Sequence, residues 1–193
     1  MRAARQAWFD AMPDLATDTL VFLDETAAAT NMARRYGRAP RGERCRLLVP
    51  QGHDKTTTVT AALRSTGLCA LSIVDGATNG ARFRNYVADS LVPMLQPGDT
   101  VILDNLQAHK VAGVREAIEA VGARVLYLPP YSPDLNPIEQ IFAKLKHLLR
   151  TVGARTVPDL WAAIRDAFAR FTPDECRNCL TAAGYEDDLA VAT

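Results

Sequence analysis

The chain has 193 residues, of which 48% are hydrophobic, enough to bury an ordinary core; one globular domain is expected and wholesale disorder is excluded. Its 22 basic and 22 acidic residues cancel, so no global field draws it to nucleic acid and any such affinity must come from local patches. No apolar run approaches the roughly 18 residues of a membrane span, and MRAARQAWFD lacks a signal-peptide apolar stretch, so a cytoplasmic protein without membrane partners is expected.

The first β-rich run is TLVFLDE at 19–25. A basic segment follows at 34–46, where Arg34, Arg35, Arg38, Arg41, Arg44 and Arg46 face a single acid, Glu43, and Gly37, Pro40 and Gly42 break regular structure. This predicts an exposed loop whose guanidiniums repel one another unless an anion such as the DNA backbone is near. The runs TTTVTAAL at 56–63 and LCALSIV at 68–74, parted by Ser65-Thr66-Gly67, complete a predicted three-stranded antiparallel meander.

Phe83, Tyr86, Val87, Leu91, Met94 and Leu95 recur at spacings of three and four and predict a helix ending near Pro97-Gly98. VILD at 101–104 reads as a buried strand, Val111, Val114, Ile118 and Val121 as a helix stopped by Gly122, and VLYL at 125–128 as another strand. After Pro129-Pro130 comes a turn-rich segment. The clearest helix then carries Ile138, Ile141, Phe142, Leu145, Leu148 and Leu149 in one stripe, and a further one carries Leu160, Trp161, Ile164 and Phe168. The order βββαβαβα, with one more helix after it, describes an α/β domain with a mixed five-stranded sheet flanked by helices, the order of the ribonuclease H-like fold.

Asp24 and Asp104 each end an apolar strand, the place where ligands gather in α/β sheets, although an aspartate after a strand also simply starts turns and Asp75 competes on that ground. Glu139 has its own structural reading: Asn136-Pro137-Ile138-Glu139 sets Asn at the N-cap, Pro at the first helical position and Glu three residues after the cap. At about 100° per residue, Glu139 also lies beside the apolar stripe on the flank of Lys146 and Arg150, an edge that reaches solvent. Glu25 follows Asp24 on the same strand and therefore points to the opposite face. Cys176 and Cys179 form a C-x-x-C pair without a second ligand pair for zinc and read as reduced thiols on a helix, as do Cys45 and Cys69 as free thiols. Gly52-His53-Asp54-Lys55-Thr56 fails as a phosphate-cradling loop, because Asp54 stands where the pattern needs glycine.

LDE at 23–25, DNLQAHK at 104–110 and LPPYSPDLNPIEQIFAKLK at 128–146 together resemble the DDE transposases of the mariner superfamily, in its bacterial insertion-sequence branch. Residues 105–138, 34 in number, separate Asp104 from Glu139, the spacing of that superfamily's second and third acids. The likeness spans roughly 19–185, leaving 1–18 as a linker or N-terminal remnant and 186–193 as a tail. It implies that Asp24, Asp104 and Glu139 hold two Mg²⁺ or Mn²⁺ ions, with Asp24 bridging, and that water and then the released 3′-hydroxyl attack DNA phosphodiesters. Asn105 and His109 match the pattern and are candidates for positioning phosphate or water, while a lone histidine is equally at home in a core. Lys144, Lys146 and Arg150 are expected to meet DNA phosphate.

The implied partners are transposon ends and target DNA, with a TA target step expected at family level, and a homodimer on DNA. Because members normally carry an N-terminal helix-turn-helix region, a separately encoded half or a truncated remnant is expected. An inactive DNA-binding remnant and another nuclease of the same fold are the competing readings; the three acids weigh against the first and the spacing and NPIE helix start against the second.

Overall fold

A computed structural model describes residues 2–34, 36–48 and 56–185. Strand β1 (Leu20–Ala29) is the spine of a five-stranded sheet. It pairs antiparallel with β2 (Thr56–Arg64), which pairs antiparallel with β3 (Gly67–Asp75). On its other edge β1 runs parallel to β4 (Thr100–Leu103), and β4 runs parallel to β5 (Arg124–Tyr127). The sheet order is therefore β3-β2-β1-β4-β5, the predicted meander followed by two parallel crossovers.

Period-two alternation divides the core. Leu20 and Phe22 of β1 and Ile102 of β4 pack with helices α4 (Ile138–Val152), α5 (Val157–Phe168) and α6 (Pro173–Ala182) on one face. Val21, Leu23, Val101 and Leu103 pack on the other with α2 (Gly80–Tyr86) and α3 (Val114–Glu119). Both faces are covered, which is why the central strands are apolar throughout. The stripe predicted for α4 is buried at Ile138, Ile141, Phe142, Leu145 and Leu149.

Several elements differ from expectation for local reasons. The helix of residues 80–94 widens into a π turn at Val87–Leu91 and tightens at Val92–Met94, so Met94 turns outward. The helix expected from Val111 begins at Val114, because Gln107–Lys110 form a 3₁₀ turn and Gly113 takes φ 92° before the helix, a conformation that costs a side chain dearly. Helix α6, expected only as the helix that carries Cys176 and Cys179, starts at the signal Thr172-Pro173-Asp174-Glu175: Glu175 N–H donates to Thr172 Oγ1 and Thr172 N–H donates to the Glu175 carboxylate. On α6, Cys176 is buried in the core and Cys179 packs against it, and burial pushes the Cys176 thiol up to about 11.

The segment ahead of β1 also carries structure. Helix α1 (Arg2–Ala11) is tied to the domain through Arg5, whose guanidinium donates to both oxygens of Asp134 at 2.9 and 2.6 Å. Its Trp8 donates to Tyr185 Oη at 3.1 Å. No helix among the described residues is long and apolar enough to cross a membrane.

One ion pair fixes the far end of the sheet. Arg64, at the end of β2, donates to both oxygens of Asp99, just before β4, at 3.0 and 2.5 Å, and Asp99 also accepts Gln96 N–H. The side chains are only 14% and 5% exposed, so removing one partner strands a charge out of water. Asp99→Ala is expected to lower unfolding free energy by about 3 kcal/mol, read from urea denaturation midpoints at unchanged slope.

Candidate active site

The β1–β4 register matches Leu23 with Leu103, so the next residues, Asp24 and Asp104, emerge side by side where β4 ends; β1 itself runs on to Ala29 against β2, so Asp24 lies within its strand and does not end it as the sequence suggested. Asp24 has the same parity as Leu20 and Phe22 and faces α4; Glu25 has the opposite parity. The chain leaves β5 through Leu128, whose N–H donates to Leu103, turns through Pro129–Asn136 and enters α4, so that Glu139 in the first turn arrives over the same two residues. Asp24, Asp104 and Glu139, from three separate elements, thus line one cavity of about 510 Å³ with Asn105, Leu106, Tyr131, Ser132 and Asn136 among its walls.

Asp24 is 7% exposed. Its Oδ1 accepts Glu25 N–H at 2.7 Å and its Oδ2 accepts Asn136 Nδ2 at 2.9 Å. Burial nonetheless pushes its carboxyl up to about 7, the Glu25 N–H opposes this, and the charges of Asp104 and Glu139 push further in the same direction. Asp104 is treated differently. Burial would raise it too, but His109, the Leu106 N–H and Lys110 outweigh that and hold it below the usual carboxylate range.

His109 is fully buried and does not line the cavity, so it is not placed to hold phosphate or water there. It stands behind Asp104, with Nδ1 2.5 Å from Asp104 Oδ1 and Nε2 4.0 Å from Glu25 Oε2, its ring stacked 4.3 Å from that of Phe83. Neither nitrogen meets an aligned acceptor, so the contact is one of charge more than of hydrogen-bond direction. Burial alone would lower the imidazole; the acids on its two sides overcome this and raise it to about 9. Asn105 lies on the cavity wall, where its Oδ1 accepts Lys110 Nζ. Glu25 lines a different concavity with Thr60, Asp75 and Arg82.

The expected N-cap at Asn136 is not made. The α4 start has no side-chain cap, and the Asn136 amide is turned to Asp24. Glu139 is therefore free of the capping box that its spacing allowed and points from an exposed position on the cavity wall. Residue Tyr131, which the sequence reading passed over, is 85% exposed on the rim with φ 56°, a left-handed backbone that is uncommon for an aromatic residue and clusters at functional sites. The Pro-Pro-Tyr-Ser-Pro run was its only local signal.

Of the predicted basic residues, Arg34 and Arg150 meet around one concavity of about 460 Å³ with Tyr36, His147 and Thr151. Arg38, Arg41, Arg44 and Arg46 lie exposed in a segment without regular structure, as expected, and Arg35 lies outside the described residues, as do residues 52–55. Arg155 pins the entry to this segment by donating to the carbonyls of Thr30 and Met32. Lys144 does not join the basic surface: it pairs with Glu175 of α6 and sits over the Phe171 ring. Lys146 is half-buried on α4.

The donor set fits a hard cation. Carboxylate and amide oxygens line the cavity and no thiol or imidazole does, the chemistry that suits Mg²⁺ or Mn²⁺. The Asn136 Oδ1 is buried there without a donor, and three acidic side chains share the cavity wall without a basic one among its lining residues. Among the described residues, no three acidic, thiol or imidazole groups converge on one point as they stand; Asp24 and Asp104 each accept a backbone N–H.

Oxygen donors gathered where β4 ends beside β1 and α4 begins define a site of the kind that holds hard cations. Residues 19–160 match the family model of the DDE superfamily endonucleases, and the chain belongs to that superfamily. No curated protein matches it. Among solved structures, the catalytic domain of Mos1 mariner transposase shares the fold at a TM-score of 0.69 and 18% identity, over 94% of this chain and 85% of that one. The Mos1 strand transfer complex gives 0.74 and 16%, over 94% and 56%, and the Mos1 paired end complex with Mn gives 0.76 and 18%, over 94% and 57%. The chain spans just over half the length of the transposase chains in those complexes. The ribonuclease H-like architecture expected from the element order is the one observed.

A carboxyl raised to about 7 in the fold favours the protonated native state, so its stabilisation is complete below the ordinary carboxylate range and is lost as pH rises through about 7. Melting curves of the metal-free chain and of Asp24→Asn are expected to converge in the opposite sense to a salt-bridged acid: between pH 4.5 and 7.5 the wild type loses stability relative to the variant. A difference that stays flat or grows with pH in favour of wild type would contradict the assignment.

Proposed function

We propose that the chain is the catalytic domain of a DNA transposase of the mariner superfamily, in its bacterial insertion-sequence branch, cutting and joining DNA strands at the Asp24–Asp104–Glu139 cavity. The observation that carries this reading is the convergence of three acids from β1, the end of β4 and α4 on one cavity. Membership of the DDE endonucleases supports it, as does the fold shared with a transposase solved in a strand transfer complex and with Mn.

Asp24, Asp104 and Glu139 would hold two divalent ions. When bound, such ions relieve charge on the attacking and leaving oxygens of a phosphodiester. Asp24 would have to be ionised to hold an ion, since a ligating carboxylate must be deprotonated. The buried His109 keeps Asp104 ionised and oriented from behind. Leu106 and Tyr131 wall the cavity on the solvent side and limit how a strand enters. Arg34 and Arg150 bind backbone phosphate at a separate concavity towards the other end of α4, together with the exposed arginines of residues 38–46. The DNA comprises transposon ends and target, acted on in the cytoplasm by a homodimer. Residues 19–185 form the catalytic domain.

Asp24→Ala, Asp104→Ala and Glu139→Ala are each expected to cut Mn²⁺- or Mg²⁺-dependent DNA nicking by about 1,000-fold or more, the rate equivalent of losing roughly 4 kcal/mol of transition-state stabilisation. Titration calorimetry with Mn²⁺ on the same samples, with circular dichroism to show folding, checks the cause. Nicking retained by any one variant removes that residue from the site. DNA affinity should fall steeply with salt, and Arg34→Ala or Arg150→Ala should each reduce the slope of log affinity against log salt by about 1. An unchanged slope would place the DNA elsewhere.

A further inference from the structure

Asn136 stands where a helix cap belongs and does not cap. It is 3% exposed, its Nδ2 donates to Asp24 Oδ2 at 2.9 Å, and its backbone carbonyl accepts Glu139 N–H at 3.1 Å. One residue is therefore hydrogen-bonded to both the first acid, 112 positions away, and the third acid, one helical turn on. The turn that carries it is held by three further contacts, two from outside and one within it. Tyr185 Oη donates to Leu135 O at 2.9 Å, Arg5 grips Asp134, and Asn136 N–H donates to Pro133 O. These fix the backbone so that the amide has little freedom to swing back to the helix start. The second atom of that amide, Oδ1, is buried on the cavity wall with no donor among the protein atoms, a state that is costly unless a donor comes from the cavity.

We infer that Asn136 is the positioning residue that sets Asp24 and Glu139 in register as joint metal-holding groups, and that its Oδ1 takes a hydrogen bond from water held in the cavity. This rests on the proposed metal-holding role of the two acids. A water there has the two to four polar neighbours it needs, with the carboxylates of Asp24 and Glu139 on the same wall. Groups that orient ligands in this way commonly change metal affinity by about 10- to 100-fold when removed.

The test is Mn²⁺ binding to the full chain, followed by the electron paramagnetic resonance signal of free Mn²⁺, for wild type, Asn136→Ala, Asp24→Ala and Tyr185→Phe, with melting temperatures taken without metal. Tyr185→Phe loosens the same turn without touching Asp24 and controls for stiffness alone. The expected result is Mn²⁺ binding weakened about tenfold or more in Asn136→Ala and changed less than about twofold in Tyr185→Phe, whatever the two melting temperatures do.

Should Asn136→Ala fail to fold, side-chain amide resonances of the wild type report instead. The Asn136 NH₂ pair should shift on Mg²⁺ addition with the same midpoint as binding, and a pair that stays still overturns the inference. Asn136→Ala binding Mn²⁺ like wild type while Asp24→Ala does not also overturns it and leaves the metal site standing. A wild type that binds no Mn²⁺ overturns the metal reading and this inference together.

Discussion

A carboxylate carried out of water must be hydrogen-bonded, paired with a cation or protonated, and the site is arranged around that constraint at Asp24. The strand places Asp24 on the helix-covered face of the sheet, next to Asp104, where its charge meets a second one of the same sign. Two protein donors, Glu25 N–H and the Asn136 amide, answer it in part. Neither is a charge, so the carboxyl remains raised, and a divalent ion is the natural remaining partner. The helix start at α4, the turn before it and the packing of both chain ends on that turn all serve to keep the Asn136 amide at this carboxylate.

The same strand shows how period-two alternation assigns different work to neighbouring residues. Asp24 and Glu25 are adjacent, yet one lines the acid cavity and the other a concavity beyond the opposite face. His109 joins the two faces, in contact with Asp104 and, more distantly, with Glu25, while Phe83 stacks on its ring. A buried histidine flanked by two acids is a cation at neutral pH, and it separates the behaviour of the two aspartates: Asp104 has a positive neighbour and is lowered, Asp24 has none in contact and is raised. The asymmetry comes from the deeper burial of Asp24 together with a histidine that stands behind Asp104 and never reaches the cavity.

The segments outside the sheet act at a distance on the third acid. Helix α1 contributes Arg5 and Trp8, and the end of α6 leads to Tyr185, which is buried against Phe22 and the carbonyl of Leu135. The loop between β5 and α4 would otherwise be a proline-rich turn anchored only at its ends. Gripped at Asp134 and Leu135, it delivers Glu139 at a defined height above the strands. On the far side of α4, Arg150 turns to Arg34 while Lys144 is taken up by Glu175, so one helix supplies an acid to the cavity, a cation to the surface and another cation to the fold.

Much of this was legible in the chain itself. The βββαβαβα order, the two-faced burial of the central strands, the stripe on α4 and the position of Asp104 at the end of β4 follow from periodicity, because side-chain alternation and helical repeat are local properties of the backbone; that β1 continues past Asp24 to Ala29 is decided by its pairing with β2. The 34 residues between Asp104 and Glu139 and the motifs around them carried the family likeness, which the family model matches over 19–160. The role of Asn136 was not legible. Asn136-Pro137-Ile138-Glu139 and Thr172-Pro173-Asp174-Glu175 share one helix-start signature, and only the second forms the box. Which acceptor an amide takes depends on what the fold brings within 2.9 Å of it, here a carboxylate 112 residues away. The seat of His109 behind Asp104 and the pairing of Lys144 with Glu175 were hidden for the same reason. Periodicity decides which way a side chain faces, and only the packed tertiary structure decides what stands there to meet it.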